Sequence, residues 1–280
     1  MNPLPDLPEL RIVPSDTLQP HEHVDPERIH PLMAALEAEG ILRNPPIVLP
    51  LGGEGERFLV LDGANRTTAL REMEIPFALV QVVHFGSETL TLRTWNRALL
   101  GMDPGVVFDV LSSSLEVTPL PSERRGRLEA IMQGERLAYL SLPGGTAWGL
   151  GRGRERLTAR IDLLHQLLGK AQKLGRSERS SEIEPEALLP LYPDLAGLLI
   201  FPALTVEEVV DAANSDICLP AGLTRFIVSP RALRVNYPLR ELSSGSSVDE
   251  KQAALDTWIQ ACMQERRVRF YAESTFLFDE

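Results

Sequence analysis

LVLDGANRTTAL, residues 59–70, changes its period midway. The apolar run Phe58–Leu61 reads as a strand, and from Ala64 to Met73 the apolar spacing of Ala69, Leu70 and Met73 predicts a helix. Only Asp62 and Gly63 separate the two. A strand that enters a helix through so short a turn presents backbone N–H groups at the helix N-terminus, where they hold an anion. Asn65 and Arg66 add directed donors, and the planar guanidinium of an arginine grips two phosphate oxygens at once. Two roles stand open for Asp62: it faces a metal ion that bridges phosphates, or it caps the helix and pairs with Arg66.

Working outward, Leu10–Val13 predicts a short strand after a Pro-rich arm. A helix follows, with Asp25 as N-cap, Pro26 in the first position, Glu27 set against the dipole and Gly40 closing it. Ile29, Leu32, Met33 and Leu36 give it one apolar face, and Pro31 falls close enough to the start to be tolerated. Ile47–Leu49 and Phe58–Leu61 read as strands joined by the Gly-rich GGEGE hairpin, residues 52–56, and Ala78–Val83 as another strand. The order β, α, β, β, α, β predicts a compact α+β domain over residues 1–100.

Beyond Gly101 the texture turns to helix and loop, which predicts a mainly helical C-terminal domain with some strands over 101–280, completing the substrate cleft. Helices are expected from Thr205 and across 248–266, strands at Thr224–Val228 and Val268–Tyr271, and a flexible loop at Ser243–Ser247. Leu163, Leu164, Leu167 and Leu168 read as a core helix face. GGTAWGLGRGRERL, residues 144–157, reads as a loop, because its glycines miss both the P-loop and the dinucleotide spacing.

The 280 residues carry 44% apolar and 24% charged side chains, which excludes wholesale disorder and a fibrous repeat. No apolar run reaches the roughly 18 to 20 residues of a bilayer crossing, and MNPLPDLPEL lacks the features of a signal peptide, so a cytoplasmic protein without a membrane partner is expected. Cys218 and Cys262 fit neither a metal site nor a disulfide framework and read as small apolar fillers. The net charge of -11 argues against a surface that coats nucleic acid, yet residues 123–180 hold twelve Lys/Arg against six Asp/Glu. That segment is either a solvated helical surface or a phosphate or DNA contact.

Two further clusters bear on chemistry. His21-Glu22-His23 is a solvated loop, a weak metal site, or the place of a general base, Glu22, acting on a hydroxyl. Arg225, Arg231, Arg234 and Arg240 either recognise a carboxylate or phosphate or pair with acidic neighbours.

Taken in order, the PHE of residues 20–22, Leu42-Arg43-Asn44-Pro45, DGANR at 62–66, Gln81-Val82-Val83, Thr94-Trp95, LPAGLTR at 219–225 and the final RRVRFYAESTFLFDE resemble the ParB/sulfiredoxin-like superfamily. Within it the chain is most similar to the free L-serine kinases and their siderophore-pathway relatives. The match over residues 8–100 is the more specific; the C-terminal one is patchier. Sulfiredoxins carry a reactive cysteine inside the G-x-x-R turn, and Ala64 has no thiol. No helix-turn-helix of a chromosome-partition protein is evident.

The resemblance implies a kinase that moves a phosphoryl group from ADP or ATP to free L-serine, with Mg2+ as cofactor. It assigns Glu22 as general base and Asp62 as catalytic residue and Mg2+ holder. Gly63, Ala64, Asn65, Arg66 and Thr67 would bind the nucleotide phosphates; Arg43, Trp95, Arg225 and Arg231 would meet the amino acid. Two positions depart from the family pattern: Arg97 and Phe226 stand where histidines are common. The alternative is a nucleotide-responsive ParB-like regulatory or DNA-binding protein without kinase activity.

Overall fold

The computed structural model describes residues 7–24, 26–52 and 56–271. Its first elements are β1 (Leu10–Pro14), β2 (Leu18–Pro20), α1 (Pro26–Glu39), β3 (Ile41–Leu42), β4 (Ile47–Leu51), β5 (Arg57–Asp62), α2 (Ala64–Glu72) and β6 (Phe77–Val82). Next come β7 (Leu90–Thr94), β8 (Asn96–Leu100), α3 (Pro104–Ser112), β9 (Val117–Pro119), α4 (Arg124–Gln133), β10 (Ala138–Ser141), β11 (Ala147–Leu150) and α5 (Leu157–Leu174). The last are β12 (Ser177–Ser180), β13 (Leu195–Ile200), α6 (Val206–Asn214), β14 (Thr224–Val228), β15 (Tyr237–Pro238), α7 (Leu239–Ser243) and α8 (Val248–Gln264). Helices and mixed sheets make this an α+β chain. No described helix is long and apolar enough to cross a membrane.

The chain forms two compact units that interleave in sequence, in place of a single boundary near residue 100. Among the described residues the first unit gathers 7–19, 26–84 and 229–271. Its sheet runs β1-β6-β4-β5-β2, with β4 parallel to β6 and antiparallel to β5. Consecutive residues of β5 and β6 are buried, the mark of a sheet covered on both faces. Helix α8 packs on β1, α7 on β6, and α1 on α2.

The expected helix starts at Pro26 and stops at Gly40, whose φ of +65° is the left-handed turn that favours glycine. The expected cap, Asp25, and most of the GGEGE hairpin lie outside the described residues. Of the predicted apolar face only Ile29 and Leu36 are buried, while Leu32 and Met33 remain partly open. Leu32 and Leu36 line a cavity, so part of this face borders open space rather than core.

The second unit holds residues 20–25 and 85–228. Its sheet runs β12-β8-β13-β10-β11-β9, and β7 pairs with β14 in a separate ribbon. The core packs Ala98 and Leu100 of β8 with Tyr139, Leu198 and Ile200. Leu164, Leu167 and Leu168 of α5 are buried as the spacing predicts, each worth about 1.5–3 kcal/mol.

Thr205 and Ser247 each close a capping box at the start of α6 and α8. Two local expectations fail. The Gly-rich stretch read as a loop contains β11, because β10 and β9 flank it and supply its hydrogen bonds, and Trp148 packs on Phe108. Val268–Tyr271 forms no strand: among the described residues no strand pairs with it, and Val268, Phe270 and Tyr271 are exposed.

Candidate functional site

In the first unit β5 delivers Asp62 to its C-terminal end, and Gly63, at φ +94°, turns the chain into α2. A Cβ on Gly63 would lie 2.9 Å from Nη2 of Arg66, so glycine is needed both for the turn and for the fold-back of this side chain. Arg66 donates through Nη1 to the Asn44 carbonyl at 2.5 Å and through Nη2 to Oδ2 of Asp62 at 3.0 Å. Arg231 donates through Nη2 to the same Oδ2. Asp62 therefore pairs with Arg66, as one reading of the sequence had it, but no side chain caps α2.

These groups border a cavity of about 500 Å³. Its lining includes the apolar Leu32, Ala35, Leu36, Ile41, Leu42 and Leu233 and the polar or charged Glu39, Arg43, Asn44, Asp62, Arg66 and Arg231. Arg43 also pairs with Glu39 at 2.8 Å. The volume is that of a small-molecule site, and the mixed lining suits a ligand with an apolar ring and an anionic tail. Thr67 differs from its expected place at the ligand: it is fully buried, and its hydroxyl donates to the Ala64 carbonyl at 2.9 Å, which ties it to its own helix.

Among the described residues no group of three or more His, Cys, Asp or Glu is placed to hold a metal ion. The cavity lining holds two carboxylates, Asp62 and Glu39, the second paired with Arg43. So few carboxylates fit Mg2+ that arrives with a nucleotide, since that ion keeps waters and takes phosphate oxygens for most of its shell. Such an ion would stabilise charge on the transferring phosphoryl group.

In the second unit the His21-Glu22-His23 loop is solvated only in part, with His21 buried, Glu22 half-buried and His23 exposed. Backbone bonds from His23 N to Leu219 O and from Leu219 N to His21 O, at 3.0 and 2.8 Å, lock it against residues 219–224. His21 is buried, 2.6 Å from the Thr224 hydroxyl through Nε2, with Phe226 edge-on at 5.2 Å. Oε2 of Glu22 accepts the Gly222 N–H at 2.8 Å and lies 3.4 Å from the Thr224 hydroxyl. The carboxylate is thus fixed in direction while its side chain stays partly exposed, 22%. A carboxylate held this way can receive a proton from a hydroxyl.

Two arginines brace this loop. Arg97, buried in β8, donates through Nη2 to the Gly222 carbonyl at 2.9 Å. Burial, and then the neighbouring charge of Arg179, lower its pKa to about 10, against the opposing pull of Glu22. Arg179 lies so close to Gly222 that an added Cβ would meet its Nη2 at 2.0 Å. Trp95 and Arg225, both expected at the amino acid, come together on the ribbon, with Cζ of Arg225 4.3 Å from the ring centroid. Arg231, expected beside them, stands instead with Asp62 and Arg66.

The sequence reading took His21 only as part of a weak metal site and gave no role to Asn44, Arg179, Gly222 and Thr224. The last two sit in the quoted LPAGLTR and were open to notice; Arg179 gave no signal. The basic segment presents few unpaired arginines to a phosphate backbone. Arg124 pairs with Glu184, Arg125 with Glu129, Arg136 and Arg152 with Glu116, and Arg154 with Glu135.

In fold the chain is similar to the free serine kinases: it matches a single-residue variant of free serine kinase in complex with AMP at a TM-score of 0.70, with 18% identity, over 85% of this chain and 95% of that one. In sequence it is 22% identical to the ATP-dependent L-serine kinase SbnI of Staphylococcus aureus over 274 residues, 97% of each chain. It is 25% identical to the ADP-dependent L-serine kinase SerK of Thermococcus kodakarensis over 134 residues, 46% of this chain and 54% of that relative. No family model matches.

Proposed function

We propose that the chain is a cytoplasmic kinase that transfers a phosphoryl group from ATP or ADP to the hydroxyl of free L-serine. The observation that carries this reading is the cavity at the Asp62–Arg66 turn, where two guanidinium groups converge on one carboxylate and leucine side chains share the lining. The nucleobase would lie against the leucines. Arg66, Arg231, the first-turn amides and Asn65 would hold the phosphates, and Asp62 would hold Mg2+ through the nucleotide. We also assign the first unit to the ParB/sulfiredoxin-like fold, on the order of its elements and the G-x-x-R turn.

Glu22 acts as general base. The serine oxygen forms a bond to the terminal phosphorus, the bond from that phosphorus to the bridging oxygen breaks, and the hydroxyl proton passes to the Glu22 carboxylate. O-phosphoserine leaves with ADP when ATP is the donor and with AMP when ADP is. The protein's share is positioning and charge stabilisation. Trp95 and Arg225 line the place of the amino acid, and Arg225 meets its carboxylate.

Phosphorus NMR of the protein with Mg2+, L-serine and either ATP or ADP tests the reading. An O-phosphoserine signal that needs serine is expected with one or both donors. Nucleotide binding without that signal would contradict it.

A further inference from the structure

Gln81 of β6 is buried at 2% exposure, and its backbone is already paired, N to Pro46 O at 2.8 Å. Its side-chain amide reaches a distant part of the same unit. Nε2 donates to the Pro230 carbonyl at 2.9 Å, and Oε1 accepts the Ala232 N–H at 2.9 Å. The two bonds straddle Arg231. Residues 231–236 form no helix or strand, so the Gln81 amide stands in for the strand partner that this stretch lacks. The residue it clasps is the one whose guanidinium lies on Asp62 at the cavity.

We propose that Gln81 is a positioning residue for nucleotide phosphates, holding Arg231 aimed into the cavity. The inference rests on the reading of that cavity as a nucleotide site. An arginine grips phosphate well only when its fork is held in register with the oxygens, and the backbone that carries Arg231 is fixed on both sides by one amide. Removing that amide leaves the Pro230 carbonyl and the Ala232 N–H without this partner and lets Arg231 drift. A merely structural Gln81 would change stability while leaving the nucleotide affinity of the folded protein unaltered.

The test is calorimetric titration of ATP and of ADP into the full chain, with folding checked by circular dichroism. The proteins are wild type, Gln81→Met, Gln81→Glu, Arg231→Ala and the double variant of Gln81→Met with Arg231→Ala. Gln81→Met is expected to weaken nucleotide binding about tenfold, and Arg231→Ala by at least as much. The double variant is expected to bind within about twofold of Arg231→Ala alone, because both changes remove one interaction. Gln81→Glu keeps the acceptor for Ala232 but loses the donor to Pro230, and about a threefold loss is expected.

Wild-type affinity in folded Gln81→Met overturns the proposal, as does a double variant whose loss is the product of the two. If Gln81→Met does not fold, wild-type affinity in Gln81→Glu overturns it equally. Failure of the kinase reading looks different: nucleotide binds and responds to Gln81 as described, yet no O-phosphoserine forms. A wild-type protein that binds neither nucleotide sinks both.

Discussion

Gly222 donates its backbone N–H to Oε2 of Glu22 at 2.8 Å, across 200 positions of sequence. Arg97 holds the carbonyl of the same glycine at 2.9 Å, and Arg179 packs where a side chain on it would stand. The orientation of the carboxylate thus depends on one peptide segment with a guanidinium on each of two sides. Gly222 itself has a φ of +66°, a conformation that side chains other than glycine's rarely adopt.

Gly222→Ala meets both constraints at once. Backbone strain of about 1–3 kcal/mol is expected, and Arg179 must move to admit the methyl group. A misdirected Glu22 is expected to lower kcat/KM for serine by about tenfold to a hundredfold, with nucleotide affinity unchanged. Thermal melting and steady-state kinetics on the same preparation check the two effects separately.

Arg97→Lys converts a permanent charge into a titrating one. Burial, and then the charge of Arg179, lower the arginine to about 10. The same burial lowers the folded-state pKa of a lysine here below its ordinary value of about 10.4. As pH rises that lysine loses its proton before the arginine does, so the bond to the Gly222 carbonyl weakens and activity falls at lower pH in the variant than in the wild type. Stability runs the other way. The unfolded lysine binds more protons than the folded one in the window between the lowered folded-state value and about pH 10.4, so the burial penalty present at lower pH is relieved as pH rises through it. Opposite slopes of activity and stability in one pH series are the expected result.

Arg66→Ala removes the side chain shared by Asp62 and the Asn44 carbonyl. Each charge-assisted bond is worth about 1.5–3 kcal/mol, so nucleotide affinity is expected to fall at least tenfold. Titration calorimetry with ATP and ADP reads it directly, and an unchanged affinity would place the phosphates elsewhere.

Much of this was legible from local pattern. The strand-to-helix switch at Asp62-Gly63, the helix from Pro26 to Gly40 and the capping box at Thr205 each follow from neighbouring residues. Asp62, Arg66 and Glu22 stood out for the same reason, chemistry compressed into a short stretch. What escaped was long-range. Strand β11 is decided by the strands beside it, since its own glycines argue for a loop, and nothing near residue 179 announces that Arg179 packs on Gly222. Arg231, read with Arg225 because both lie in one basic run, is drawn to Asp62 by an ion pair spanning 169 positions.

Arg225→Ala removes the cation over Trp95. That contact alone is worth about 0.5–2 kcal/mol. If Arg225 meets the serine carboxylate as proposed, KM for serine is expected to rise about tenfold or more while the nucleotide KM holds. Trp95→Phe, which keeps an aromatic face, is expected to do less. Initial-rate kinetics with each substrate varied in turn separates the two effects.

The most direct measurement is the rate of O-phosphoserine formation by Glu22→Gln against wild type, with nucleotide affinity measured on both proteins. Glutamine keeps the shape and the acceptor for Gly222 but takes no proton at neutral pH, so turnover should fall by about 10²- to 10⁴-fold at unchanged nucleotide affinity. Wild-type turnover by folded Glu22→Gln would remove Glu22 as the base and contradict the account.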